Sequence, residues 1–283
     1  MAGPEEPPPS GLFSLLLRAD DYPPSATWVP PAARRCVVFL HGWLQEHSCW
    51  LTTAHRVRAA HGHDCLLLDW PAHGRSEAPA DPRITIHTLV RCVRHTLERA
   101  RLTATPRRLV FAAASLGGAV AMHYTTLYAE EVDRLVLVAP AGFDEPCHRL
   151  CHVGPLLAAL HTREQLPLRV RAKLSLVQHT PRYLAPPNWF ASAAARVTPT
   201  LLVYAAFDEL HRANAWAGAR AADRRFRMRR FCGTHAMVCL ALTSLRLDLD
   251  AAAWHETDSP EAGGVCSSAS ASHAELSPQR SRL

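Results

Sequence analysis

Five short, nearly unbroken apolar runs recur along the chain: Cys36–Leu40, Cys65–Asp69, Leu109–Ala113, Leu135–Ala139 and Thr200–Tyr204. Each is bounded by turn-forming residues. A strand with one wet face alternates apolar and polar side chains, whereas a strand covered on both faces does not. Between the runs the period changes. Leu89, Val93, Leu97 and Ala100 recur at helical spacing, as do Leu116, Val120, Tyr124 and Leu127. Strand and helix in repeated alternation predict an α/β architecture: a mostly parallel central sheet with helices on both faces.

The length of 283 residues suits one large domain of this kind. Apolar residues make up 48% of the chain, enough for a sizeable core. No apolar run approaches the roughly eighteen residues of a membrane-spanning helix, so no integral membrane segment is expected. Residues 1–10 carry Glu5, Glu6 and four prolines with no basic residue before an apolar stretch, unlike a secretory signal. The formal net charge is +6. Its densest cluster, Arg224 to Arg230, alternates with Phe226 and Met228, which reads as one strand with a solvated face. Without a basic groove interleaved with stacking aromatics, no nucleic-acid partner is expected.

Two stretches break the rhythm. Residues 143–195 are rich in proline and hold an amphipathic patch, Val153, Leu156, Leu157 and Leu160, which reads as a short helical insertion between two sheet strands. From residue 252 to 283 the composition turns to Ser, Ala, Glu and Gly, the signature of a disordered tail. The expected division is therefore a domain over 1–251, with the insertion as a lid, followed by the tail. The nine cysteines include no CxxC pair, so free thiols are expected. In Cys147-His148-Arg149-Leu150-Cys151-His152 the i,i+4 pairs have metal-ligand spacing. No further ligand pair accompanies them, so no metal site is assigned.

The chemistry gathers on Phe111-Ala112-Ala113-Ala114-Ser115-Leu116-Gly117-Gly118. A strand ends, and a helical pattern starts at once. A serine on such a sharp turn needs very small neighbours, because its own backbone is strained. The turn lifts Oγ clear of the sheet, and the following helix offers free N–H groups to a developing negative charge. The motif is usually G-x-S-x-G; here Ala113 stands for the first glycine. A serine merely capping a helix would leave much the same local trace. The run Val37–Leu40 followed by His41-Gly42-Trp43 supplies the missing context. An oxyanion needs donors from two directions: the N–H of Leu116 and the N–H of Trp43. Gly42 permits close backbone approach, and His41 reads as a histidine tying loops together.

Next comes Asp69-Trp70-Pro71-Ala72-His73-Gly74-Arg75-Ser76. The His-Gly turn, this D-x-P-x-H-G-x-S segment and the serine elbow, in this order, resemble the α/β-hydrolase superfamily over roughly residues 35 to 245. The resemblance implies the α/β-hydrolase fold and gives Asp69, His73, Gly74 and Ser76 a structural part. It also implies a triad in the chain order serine, acid, histidine. The strand and turn ending in Phe207-Asp208 are similar to the acid-bearing segment, and Phe231-Cys232-Gly233-Thr234-His235 to the histidine loop. Ser115 would then be the nucleophile, His235 the base and Asp208 the acid, with Asp144 as a rival acid after the preceding strand. No cofactor is implied.

A serine nucleophile implies an acyl-enzyme, hence a carboxylic ester or thioester as the small-molecule substrate, with an amide or an activated C–C bond as alternatives. A non-catalytic binding protein on the same fold is the alternative, and Ala113 is the feature that favours it. Leu156, Leu157 and Leu160 are candidates for lining an apolar acyl pocket, or for simple packing of a lid helix. The last three residues, Ser281-Arg282-Leu283, resemble the S-K-L address read by the peroxisomal import receptor. Peroxisomal import is the expectation in a eukaryotic cell, and a cytoplasmic place otherwise.

Overall fold

The computed structural model describes residues 12–21, 34–103, 109–141, 166–179, 198–208 and 226–244. Among the described residues seven strands form one sheet: β1 (Ser14–Leu17), β2 (Cys36–Leu40), β3 (Asp64–Leu68), β4 (Leu109–Ala114), β5 (Val132–Val138), β6 (Thr200–Ala205) and β7 (Phe226–Phe231). Their spatial order is β1-β3-β2-β4-β5-β6-β7. β1 pairs antiparallel with β3, and every other pairing is parallel. The five apolar runs of the sequence are β2 to β6. The arginine-rich alternation is β7, on which Arg229 is exposed.

The described helices are α1 (Ser48–His61), α2 (Ile86–Arg99), α3 (Leu116–Leu127), α4 (Leu168–His179) and α5 (His235–Leu240). All residues of β2 and β4 are buried, as their unbroken apolar character requires. The sheet divides the core in two. Val38, Leu40, Phe111 and Ala113 face α2, α3 and Ala172 and Leu176 of α4. Val37, Phe39, Val110 and Ala112 face Trp50, Ala54 and Val57 of α1 and Val238 of α5. Burying one large apolar side chain contributes about 1.5–3 kcal/mol, so this double layer is the main force holding the sheet between its helices. α2 starts at a reciprocal cap: Thr85 Oγ1 accepts from the Thr88 N–H at 3.2 Å, and the Thr85 N–H donates back to Thr88 Oγ1 at 3.4 Å.

The strand order places the site. From β2 the chain steps outward to β3, then crosses back to β4 on the other side of β2. At such a switch point the loops leaving the carboxyl ends of β2 and β4 part and leave a crevice between them. His41-Gly42-Trp43 follows β2, and Ser115 follows β4.

Leu156, Leu157, Leu160, Asp144, the Cys147–His152 cluster, Ser281, Arg282 and Leu283 lie outside the described residues. Of the insertion 143–195, the described part is the helix α4 with its two preceding residues, 166–167. Cys36, Cys49, Cys65, Cys92 and Cys239 are free thiols, as expected. Cys232 departs from that expectation and is disulfide-bonded. No described helix is long and apolar enough to cross a membrane.

Candidate active site

Ser115 stands alone between β4 and α3 with φ 47° and ψ −114°, a conformation a non-glycine residue adopts only at a cost of about 1–3 kcal/mol. The surroundings enforce it. The Ser115 N–H donates to the Val138 carbonyl at 3.0 Å, and its own carbonyl accepts from the Ala141 N–H at 2.8 Å. A side chain at Gly117 would strike the Leu40 carbonyl, and one at Gly118 would strike Pro140. The small residues after the serine are therefore required by the neighbouring strands. Ala113, where the usual motif has glycine, is fully buried and registers opposite Leu40. Its methyl group is accommodated in the core.

The loop after β2 comes close to the serine. A Cβ built on Gly42 would lie 3.2 Å from Ser115 Cβ, so glycine is needed there for close approach. The Trp43 indole is tied to α4: its Nε1–H donates to the Lys173 carbonyl at 2.9 Å. Among the described residues, the backbone N–H groups of Trp43 and Leu116 have no hydrogen-bond partner. Leu116 follows the serine directly, and Trp43 follows Gly42, whose backbone comes close to Ser115.

His235 opens α5, where Thr234 caps the helix by accepting from the Met237 N–H at 3.3 Å. In the neutral ring Nδ1–H donates to Asp208 Oδ2 at 3.0 Å, and Nε2 accepts from the Ser115 hydroxyl at 3.0 Å. The histidine and acid side chains are almost wholly buried. The acid turn is pinned to the histidine loop: Ala206 N–H donates to the Phe231 carbonyl at 2.8 Å, and Phe207 N–H to the Gly233 carbonyl at 3.0 Å. Burial of the ring opposes its charged form, but the Asp208 carboxylate and the Cys239 thiol, one helical turn on, outweigh it. Together they raise the His235 pKa from 6.5 to about 10. The surroundings thus favour the imidazolium that accepting a proton from Ser115 would create.

The D-x-P-x-H-G-x-S segment is a brace. Asp69, fully buried, accepts from the His47 N–H at 2.6 Å, from His47 Nδ1 at 2.9 Å and from the Arg75 N–H at 2.9 Å. Ser76 Oγ donates to the Asp69 carbonyl and accepts from the Phe13 N–H, both at 2.7 Å, which ties in the segment leading to β1. A side chain at Gly74, whose φ is 44°, would collide with the Asp69 carboxylate. His41 is fully buried. Its Nδ1–H donates to the Gly42 carbonyl at 2.7 Å, and Nε2 accepts from the Trp70 N–H at 3.2 Å. Burial lowers its pKa to about 3, so the ring is neutral and its 3.7 Å approach to Asp69 is no ion pair. His41 ties loops together, as expected from the sequence.

Ser115, His235 and Asp208 are therefore brought together, with Trp43 and Leu116 beside the serine. Cys239, one helical turn from His235 in α5, also bears on the histidine, a part that the sequence reading did not assign to it. Among the described residues no group of three or more His, Cys, Asp or Glu is placed to hold a metal ion.

The sequence pattern of the alpha/beta hydrolase fold matches residues 35–225. Comparison with curated protein sequences gives no match. Among solved structures, the chain is similar to an esterase from Exiguobacterium antarcticum, with 15% identity, a TM-score of 0.55, and 80% of this chain and 89% of that one covered. It is similar to a monoacylglycerol lipase from Paleococcus ferrophilus, with 15% identity, a TM-score of 0.57, and 82% and 98% covered. A thermophilic esterase from Thermogutta terrifontis gives 12% identity, a TM-score of 0.60, and 82% and 88% covered. At such identities the likeness to solved structures is one of fold. The matched family pattern spans more than half of the chain: the chain belongs to the alpha/beta hydrolase family.

Proposed function

We propose that the chain is a serine hydrolase that cleaves a carboxylic ester or thioester through an acyl-enzyme. The observation that carries this reading is the continuous relay from Ser115 Oγ through His235 to Asp208, with a 3.0 Å bond on each side of the ring. Ser115 Oγ attacks the carbonyl carbon as its proton passes to His235 Nε2. The N–H groups of Trp43 and Leu116 receive the resulting oxyanion. Collapse of the tetrahedral intermediate expels the alcohol or thiol, which takes the proton from His235. A water then gives a proton to His235 and attacks the acyl group, releasing the acid and restoring Ser115. Asp208 fixes the Nδ1–H tautomer and stabilises the imidazolium at each stage.

The fold relatives named as esterases and a lipase agree with an acyl substrate, and a serine nucleophile restricts the chemistry to acyl transfer. On this reading the domain runs over residues 1–251. By sequence alone, residues 143–195 are proposed as a lid and Leu156, Leu157 and Leu160 as contacts for the acyl group. The non-catalytic alternative drew on Ala113, and its buried methyl group disturbs no bond of the relay.

Turnover of p-nitrophenyl esters of graded acyl length tests the proposal. The wild-type chain is expected to hydrolyse at least one member, and Ser115→Ala to lose roughly 10³-fold or more in kcat. Hydrolysis surviving unchanged in Ser115→Ala would sink it.

A further inference from the structure

Gln45 stands two residues after Trp43, and its carboxamide bonds in two directions. Oε1 accepts from the Gly42 N–H at 2.8 Å. Nε2–H donates to the carbonyl of Cys239 at 3.0 Å, one turn beyond His235 in α5. The partners decide which end of the amide is which: a backbone N–H only donates, and a carbonyl only accepts. The Gln45 backbone N–H also donates to the Gly42 carbonyl at 3.3 Å, joining His41 Nδ1 at the same oxygen. Both polar groups of Gly42 are thereby held by Gln45. The peptide linking Gly42 to Trp43 is planar and trans, so fixing the Gly42 carbonyl also fixes the direction of the Trp43 N–H. A Cβ on Gly42 would meet Gln45 Oε1 at 2.7 Å and Ser115 Cβ at 3.2 Å, which places this clamp against the serine itself.

We propose that Gln45 is a positioning residue that locks the Gly42–Trp43 peptide in register with the histidine-bearing helix. One side chain joins segments 194 residues apart, the one offering the Trp43 N–H and the one carrying His235. The proposal rests on the serine-hydrolase reading for its catalytic consequence, but the brace itself does not. Only an amide of this length meets both partners. A glutamate still accepts from Gly42, but as a carboxylate it turns an acceptor toward the Cys239 carbonyl and sets a negative charge beside the oxyanion. Methionine matches the length and makes neither bond. A misplaced donor lowers stabilisation of the transition state more than ground-state binding.

Full-length Gln45→Met and Gln45→Glu test this by two readouts. The first is hydrogen–deuterium exchange, which needs no activity. Gln45→Met is expected to speed exchange in both residues 41–46 and residues 235–240. The second is ester hydrolysis. Gln45→Met is expected to lose about 10–100-fold in kcat with KM changed by less than about threefold. Gln45→Glu is expected to show a similar loss at pH 8. Its activity relative to wild type should climb as pH falls toward the ordinary glutamate range near ~4.3, where the acid regains a donor. Exchange raised only in 41–46, or a kcat within about twofold of wild type in Gln45→Met, would overturn the proposal. If Ser115→Ala keeps full activity while the paired rise in exchange is seen, the nucleophile assignment fails and the brace stands.

Discussion

The His235 ring sits between opposing demands. Burial disfavours its charge, while Asp208 and Cys239 favour it, and the balance raises its pKa above 6.5 to about 10. A general base must be unprotonated to act, so activity should increase with pH across the alkaline range, and the acid limb of kcat/KM should lie above pH 6.5. Asp208→Asn removes one of the two partners that raise the pKa. It should move that limb to lower pH while cutting kcat by about 10⁴-fold, because the preferred tautomer is lost. A pH–rate profile of the two proteins checks both signs; an unmoved limb would mean that Asp208 does not face the base. Ser115 was legible in the sequence because its neighbours must be small: Gly117 abuts the Leu40 carbonyl, and Gly118 abuts Pro140. Asp208 and His235 were legible by order and by family resemblance. Gln45 was not, since nothing around residue 45 announces a bond to Cys239.

The elements differ in how plainly they were written. β2 and β4 are buried on both faces, so their apolar runs are unbroken, and the sequence bounds match the observed ones to within a residue. β1 is a four-residue edge strand pairing antiparallel with β3, too short to leave a pattern. α1 mixes buried Trp50, Ala54 and Val57 with His55, Arg56 and Arg58, which blurs its apolar stripe. The elbow joins two of the plainest elements, and its tolerance is narrow. Gly117→Ala would press a methyl group into the backbone of β2, which cannot yield as a side chain would. A loss of about 1–3 kcal/mol is expected by urea denaturation. Unchanged stability would show that α3 does not pack this closely on β2.

The whole molecule assembles the site from segments that are remote in the chain. Trp43 follows β2, Ser115 follows β4, Asp208 follows β6 and His235 follows β7, so none of the chemistry exists until the sheet is complete. α4 closes over this edge and is fastened there: Lys173 accepts from the Trp43 indole at 2.9 Å, and Ser175 Oγ accepts from the buried Ile84 N–H at 3.1 Å. The α/β class and the parallel sheet could be read from periodicity. The crossing back from β3 to β4, which opens the crevice, could be inferred only from family resemblance, because strand order leaves no local trace. A fluorophosphonate reacts with a serine only when a base and an oxyanion pocket activate it, so labelling reports the completed assembly. The folded wild-type chain should take up one phosphonyl group, located at Ser115 by peptide mass spectrometry, and Ser115→Ala and the urea-unfolded chain should take up none. Folded wild-type chain left unlabelled, or labelled at another residue, would contradict the assignment of Ser115 as nucleophile.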